Sequence, residues 1–255
     1  MDKRAIGVFD SGLGGLSVVK EIRKILPNES IIYLGDTARV PYGTRSKETI
    51  IKFSLEDAEF LLKKNVKCIV VACNTASSMA GKTLKRKLKI PIFDVIDPAL
   101  KDARKISKGK IGVIGTRATI RSGAYKGALG YACPLLVPFI EEGEIGSDAL
   151  KMVVRDYLKP MKSKKVDALI LGCTHYPIIE NLIQKEMGKK VKLINPEKSV
   201  SVEVLKFLSK DRMLSSKKTK GKREFYVTDL TDRFTKVAEM FLGEDLKGKI
   251  RKIDL

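Results

Sequence analysis

The sequence predicts an α/β protein built as two similar open, mostly parallel-sheet domains, related by a pseudo-two-fold duplication, with the active site between them. Three observations carry this. Strand-like and helix-like segments alternate along the chain, the pattern of parallel sheets flanked by helices. Two cysteines stand in near-duplicate contexts 100 residues apart, Val66-Lys67-Cys68-Ile69-Val70-Val71-Ala72-Cys73-Asn74-Thr75 and Val166-Asp167-Ala168-Leu169-Ile170-Leu171-Gly172-Cys173-Thr174-His175. A second pair, Ile6-Gly7-Val8-Phe9-Asp10-Ser11 and Ile111-Gly112-Val113-Ile114-Gly115-Thr116, repeats at an offset of 105. Two matching pairs at nearly one offset point to internal duplication, and the offset is too long for one βαβ unit.

The elements follow in order. Ala5 to Phe9 reads as a strand, and Gly15 to Leu26 as a helix with Leu16, Val19, Ile22 and Ile25 on one face, stopped by Pro27. Ile31 to Leu34 is a strand. Ser46 caps a helix reaching about Lys64, with Ile50, Phe53, Leu55, Phe60 and Leu61 as its apolar positions. The Cys73 strand, a helix over Ala76 to Leu88 and a strand over Ile92 to Val95 come next, and prolines at 91 and 98 mark a crossover near residues 95 to 98. The second set holds a strand from Lys110, helices at Ser147 to Leu158 and Ile178 to Met187, and strands at Ala168 to Leu171 and Val191 to Ile194. Ser215 to Arg223 reads as an exposed loop, followed by a strand at Glu224 to Val227 and a helix at Asp232 to Leu242 that return to the first domain. The expected domains are therefore 1–96 plus 210–255, and 97–209.

Composition narrows the function classes. Apolar residues form 44% of 255, enough for real cores, and no apolar run approaches the length that crosses a bilayer. The start, Met1-Asp2-Lys3-Arg4, leads into a strand with no secretory h-region, so a cytoplasmic protein with no membrane partner is expected. Four cysteines without a C-x-x-C pair, and a single histidine, argue against disulfides and against a zinc site. The net charge of +20 comes from 50 basic against 30 acidic residues. The basic residues are spread along the chain with few aromatics among them, and charge alone supplies weak, sequence-independent affinity. Solvated faces are the simpler explanation, and nucleic acid is not expected as the main partner. Oligomeric state is left open, a homodimer included.

Both cysteine segments place a thiol at the C-terminal end of a buried strand, where open α/β sheets bind ligands. Polar neighbours and a nearby helix N-terminus can lower a thiol pKa there, although either cysteine alone is as readily structural; the repeated context lifts the pair. Cys68, inside its strand, and Cys133 read as small buried hydrophobes. His175, the sole histidine and two residues from Cys173, is a capping or core residue or an acid/base partner. Asp10-Ser11-Gly12-Leu13-Gly14-Gly15 is either an ordinary βα turn or an anion cradle; it lacks the order of a dinucleotide site or a P-loop. Pro41-Tyr42-Gly43 by itself reads as a turn.

Together Asp10-Ser11-Gly12, Gly35-Asp36-Thr37-Ala38-Arg39-Val40-Pro41-Tyr42-Gly43, Ala72-Cys73-Asn74-Thr75, Cys133-Pro134 through Val137-Pro138, and Gly172-Cys173-Thr174-His175-Tyr176-Pro177 resemble the bacterial glutamate racemases, in family order across nearly the whole chain. Phe225-Tyr226-Val227-Thr228 fits as well. The resemblance implies a cofactor-independent isomerase that interconverts L- and D-glutamate and supplies D-glutamate for peptidoglycan, with neither cofactor nor metal. It implies that Cys73 deprotonates D-glutamate and Cys173 L-glutamate, each thiol serving one face of a planar carbanion. It assigns proton-handling support to Asp10 near Cys73 and to Glu141 and His175 near Cys173, and substrate contacts to Asp10, Ser11, Tyr42, Gly43, Asn74, Thr75, Thr174 and His175.

Two stretches depart from the family. Tyr125 to Cys133 is shorter than usual, which bears on a strand of the second domain and on the placement of Glu141; Ile194-Asn195-Pro196 stands where relatives commonly have Asp-Ser. Other readings are a two-cysteine racemase of aspartate or a hydantoin, a pyridoxal-phosphate racemase using one of many lysines, and a basic nucleic-acid-binding protein.

Overall fold

The computed structural model describes residues 1–216, 219–244, 246 and 248–255, the side chains of 232–236 excepted. The first half of the chain alternates strictly: β1 (Ile6–Asp10), α1 (Leu16–Ile25), β2 (Ile31–Gly35), α2 (Lys47–Lys63), β3 (Cys68–Val71), α3 (Asn74–Lys87) and β4 (Ile92–Asp94). β1, β2 and β3 are buried along their whole length, as strands covered on both faces by helices must be. Ile6 pairs with Ile31 on one side and Cys68 on the other, so the loops after Asp10, Gly35 and Val71 emerge at one edge of the sheet.

α4 (Ile96–Ile106) carries the chain into the second set: β5 (Lys110–Gly115), α5 (Arg117–Arg121), β6 (Leu129–Ala132), α6 (Leu136–Glu141), α7 (Asp148–Ser163), β7 (Val166–Gly172), α8 (Glu180–Met187) and β8 (Lys192–Ile194). α9 (Pro196–Lys210) then leads back to β9 (Arg223–Val227), α10 (Asp232–Leu242) and β10 (Ile250–Lys252). Two parallel sheets result, one of six strands in the order β10-β9-β2-β1-β3-β4 and one of four in the order β6-β5-β7-β8. β1 and β5, the strands that echo one another in sequence, are interior strands of their sheets.

Several boundaries differ from the sequence pattern for local reasons. α3 begins at Asn74 rather than Ala76, because the Cys73 sulfur caps it and accepts the Ala76 N–H at 3.4 Å. Ser46 caps α2 as expected, accepting from Thr49 N. The short stretch before Cys133 does hold a strand, β6, paired in parallel with β5. α4, α5, α6, α9 and β10 were not expected. Of the segment 215–223, Lys217 and Lys218 lie outside the described residues, and Arg223 already belongs to β9.

One apolar core runs from the inner face of the six-stranded sheet through α1, α4 and α9 into the four-stranded sheet, and a second fills the other face of the first sheet around Ile50, Leu61, Ile69 and Val71. Where the chain returns to the first sheet, Lys67 is fully buried. Its ammonium donates to Glu29 Oε2 at 2.5 Å, Asp2 O at 3.1 Å and Met213 O at 2.8 Å, while Glu29 Oε1 accepts Ser215 N at 2.7 Å.

Candidate active site

The two sheets present their strand C-terminal ends to one cavity of about 330 Å³. Cys73 reaches it from just beyond β3, and Cys173 from just beyond β7. Every candidate named above lines this cavity except Asp10, which lies behind Ser11 and is 1% exposed.

Unlike partners surround the two thiols. The Cys73 thiol donates to Ser11 Oγ at 3.4 Å. Burial first, and the nearby Asp10 carboxylate second, push its pKa up to about 12. Asp10 Oδ2 accepts the Gly12 N–H at 3.1 Å; burial raises this carboxyl, against the pull of a charged His175 and of the Gly15 and Gly12 N–H groups.

Cys173 instead faces His175, whose Nδ1 lies 3.7 Å from the sulfur. On the opposite side of the ring, Nε2 meets Glu141 Oε1 at 2.9 Å. Burial alone would hold the imidazole neutral, but the hydrogen bonds to Cys173 and Glu141 outweigh it and raise its pKa to about 10. His175 is thereby an imidazolium at neutral pH, the cation a thiolate needs beside it. Its position is fixed from behind as well: a Cβ on Gly14 would fall 2.8 Å from Nδ1 and nearer still to Thr174 Oγ1, so only glycine lets the β1–α1 turn back against this segment.

Tyr42 enters the wall differently from what its polar handle implies. Its hydroxyl turns into the interior, 2.5 Å from Asp36 Oδ2 and 2.9 Å from Asp57 Oδ2, and is not available to a ligand. One hydroxyl proton cannot serve two carboxylates. Asp57 is raised well above the usual carboxylate range by burial and by Asp36, which favours its protonated form here, while Asp36 also accepts from Arg39 Nε at 2.6 Å and Thr228 Oγ1 at 2.9 Å. This knot anchors the Tyr42–Gly43 turn, and Gly43 lies close against Thr116, where an added Cβ would sit 3.0 Å from the threonine Cβ.

Sequence reasoning missed the hydroxyls that join the two halves of the floor. Thr75 Oγ1 meets Thr116 Oγ1 at 2.9 Å and Thr119 Oγ1 at 3.2 Å. A signal was present, since Thr116 occupies in the second copy the place of Ser11 in the first. Arg117 and Cys133 also line the cavity. Cys68 does not; it is wholly buried in β3, and desolvation pushes its thiol up to about 12. Among the described residues no cluster of three His, Cys, Asp or Glu side chains is placed to hold a metal ion, and no helix is long and apolar enough to cross a membrane.

The Asp/Glu/Hydantoin racemase family model matches residues 6–200, and the chain belongs to that family: it is a racemase, an isomerase. Its similarity to particular members is close. It is 47% identical to the glutamate racemase of Aquifex aeolicus over 254 residues, 96% of each chain. A glutamate racemase isoform from Bacillus anthracis superposes with a TM-score of 0.95 at 38% identity, covering 100% of this chain and 99% of that one. The glutamate racemase of Francisella tularensis, solved in complex with D-glutamate, gives 0.92 at 40% identity over 100% and 98%.

Proposed function

We propose that this racemase interconverts L- and D-glutamate by a two-base transfer at Cα, without a cofactor, in the cytoplasm and in the supply of D-glutamate to peptidoglycan. The supporting observation is that two cysteines with unlike partners line one cavity, each at the strand ends of a different sheet. The domains, divided as 1–96 plus 210–255 and 97–209, then hold the substrate between them.

From L-glutamate, the Cys173 thiolate takes the α-proton and becomes a thiol. The electron pair of the broken C–H bond passes into the planar carbanion and its α-carboxylate, and the Cys73 thiol gives its proton to the opposite face, leaving D-glutamate and a Cys73 thiolate. A single base would return its proton to the same face. The two thiols are set up differently for these roles: burial holds the Cys73 thiol up at about 12, and His175 lies 3.7 Å from the Cys173 sulfur, where it can exchange a proton with it. From D-glutamate the roles reverse, with Asp10 beside the thiolate that must form at Cys73.

An amino-acid α-proton is very weakly acidic, so the site must stabilise the carbanion. Asn74, Thr75, Thr174 and Ser11 supply amide and hydroxyl donors on the wall, and Gly43 and the N-terminus of α3 bring backbone N–H groups near it. Arg117 adds a permanent positive charge at the same wall.

Deuterium wash-in from D₂O with each enantiomer tests this. Incorporation at Cα from both enantiomers, with racemisation of glutamate exceeding that of aspartate and of a hydantoin, is expected. Turnover confined to one of the other substrates overturns the assignment.

A further inference from the structure

We infer that Tyr125, which does not line the cavity, is a positioning residue that sets the Asn74 amide with its N–H₂ end toward the substrate. This rests on the substrate reading above. Tyr125 lies between α5 and β6 on the side of the four-stranded sheet, and its hydroxyl donates to Asn74 Oδ1 at 2.6 Å. Asn74 opens α3, directly after Cys73, on the side of the other sheet.

An asparagine amide is nearly symmetric in shape and opposite in polarity at its two ends. The Tyr125 hydroxyl must place its single proton on an acceptor, which fixes Oδ1 toward the phenol and Nδ2 away from it. Burial keeps that phenol neutral and therefore a donor. Nδ2 is then left buried with no partner among the described residues, in a residue 2% exposed that lines the cavity. Native structures rarely leave a buried donor unmet, and at a ligand site the ligand supplies the acceptor. A carboxylate of an amino acid fits, being acceptor-only. Turned over, the same amide would present a lone pair to that carboxylate and repel it.

Tyr125 also bridges the two cysteine segments. Its ring lies beside Gly172, where an added Cβ would sit 3.5 Å from Cε2, and Gly172 precedes Cys173. One side chain thus bonds the residue after one thiol and lies near the residue before the other. The donor is aligned only when the two halves of the molecule are packed together.

Tyr125→Phe keeps the ring and removes the donor. We expect kcat/KM for both enantiomers to fall about tenfold, the scale of one misaligned hydrogen bond to a charged group. Introduced into Asn74→Ala, the same change should alter kcat/KM less than twofold, because its effect passes through Asn74. A merely structural role predicts equal losses in both backgrounds, and that result overturns the proposal, as does an unchanged Tyr125→Phe. Asn74→Asp, which still accepts from Tyr125 but lacks the donor, should lose at least as much as Asn74→Ala; parental activity there overturns it independently of any Tyr125 variant. Without substrate, the Asn74 side-chain amide resonances should shift in Tyr125→Phe, and unshifted resonances count against the proposal. Parental turnover of glutamate, measured first, separates failure of the substrate assignment from failure of this one.

Discussion

The ring of Phe241, near the end of α10, meets the imidazole of His175 almost at right angles, with centroids 5.1 Å apart and an interplanar angle of 86°. His175 is therefore held on three sides: Glu141 at Nε2, Cys173 near Nδ1, and an aromatic wall contributed by a helix that follows the six-stranded sheet's β9. Phe241→Leu preserves apolar volume but removes the edge-on contact. Such pairs contribute about 0.5–1.5 kcal/mol beyond area burial, so kcat/KM should fall roughly three- to tenfold with the far-ultraviolet spectrum unchanged. Polarimetric assays in both directions check this, and undiminished activity would reduce Phe241 to packing.

The thiols give the most direct test of chemistry. Cys73→Ala and Cys173→Ala should each abolish racemisation with the fold intact, because each face of the carbanion then lacks its acid or base. Cys68→Ala, which alters only a buried position in β3, should retain turnover. Full racemase activity in either single thiol variant would sink the two-base scheme.

His175 also ties stability to pH. Its folded-state pKa of about 10 exceeds the unfolded value of about 6.5, so the folded protein binds more protons between these limits. The stabilisation is complete below pH 6.5 and is lost as pH rises through 10. Glu197, held up to about 8 by burial, and the thiols of Cys68 and Cys73 add slopes of the same sign. The difference in Tm between the parent and His175→Gln isolates the histidine: it should shrink steadily from pH 6.5 to 10. A difference independent of pH would show that His175 is not protonated in the folded protein.

Lys67 and Glu29 form an ion pair in which both side chains are at most 2% exposed. Lys67→Met should destabilise by about 3–5 kcal/mol, since it leaves a buried carboxylate unpaired. Adding Glu29→Met should recover much of that loss, because two matched apolar side chains do not need each other's charge. Denaturant titrations of the two variants decide it; an equal or greater loss in the double variant would mean that the pair chiefly anchors Met213 and Ser215 through its hydrogen bonds.

The parts of the fold legible in the sequence are those that advertise burial. β1, β2, β3 and β7 are dominated by apolar runs, and α1 and α2 carry helical periodicity with a clear start or stop, so their positions follow from the sequence pattern. α5 and α6 have only five and six residues, too short for a period to show. β6 reads Leu129-Gly130-Tyr131-Ala132 and is partly exposed at an edge, while β10 is three residues, two of them basic. Tertiary pairing rather than propensity makes these strands. At the site, residue identity announced Cys73, Cys173 and His175, but not which end of Tyr42 faces the cavity. That depends on Asp57, a helix residue fifteen positions later whose buried carboxyl no local pattern reveals.

The strand beside β2 comes from the far part of the chain: Ile31 pairs with Arg223, 192 residues later. During synthesis the ribosome therefore releases β1 to β4 with one edge of their sheet bare, and a bare edge is a template for pairing with other chains. Asp36, which accepts the Thr228 hydroxyl, and His175, which rests against Phe241, wait for the same late segment. A nascent chain holds both cysteines well before it holds the pieces that complete their surroundings. The surroundings of Asp36 and His175 are complete only when residues beyond 222 have emerged and docked, which separates the birth of the polypeptide from the completion of its cavity wall.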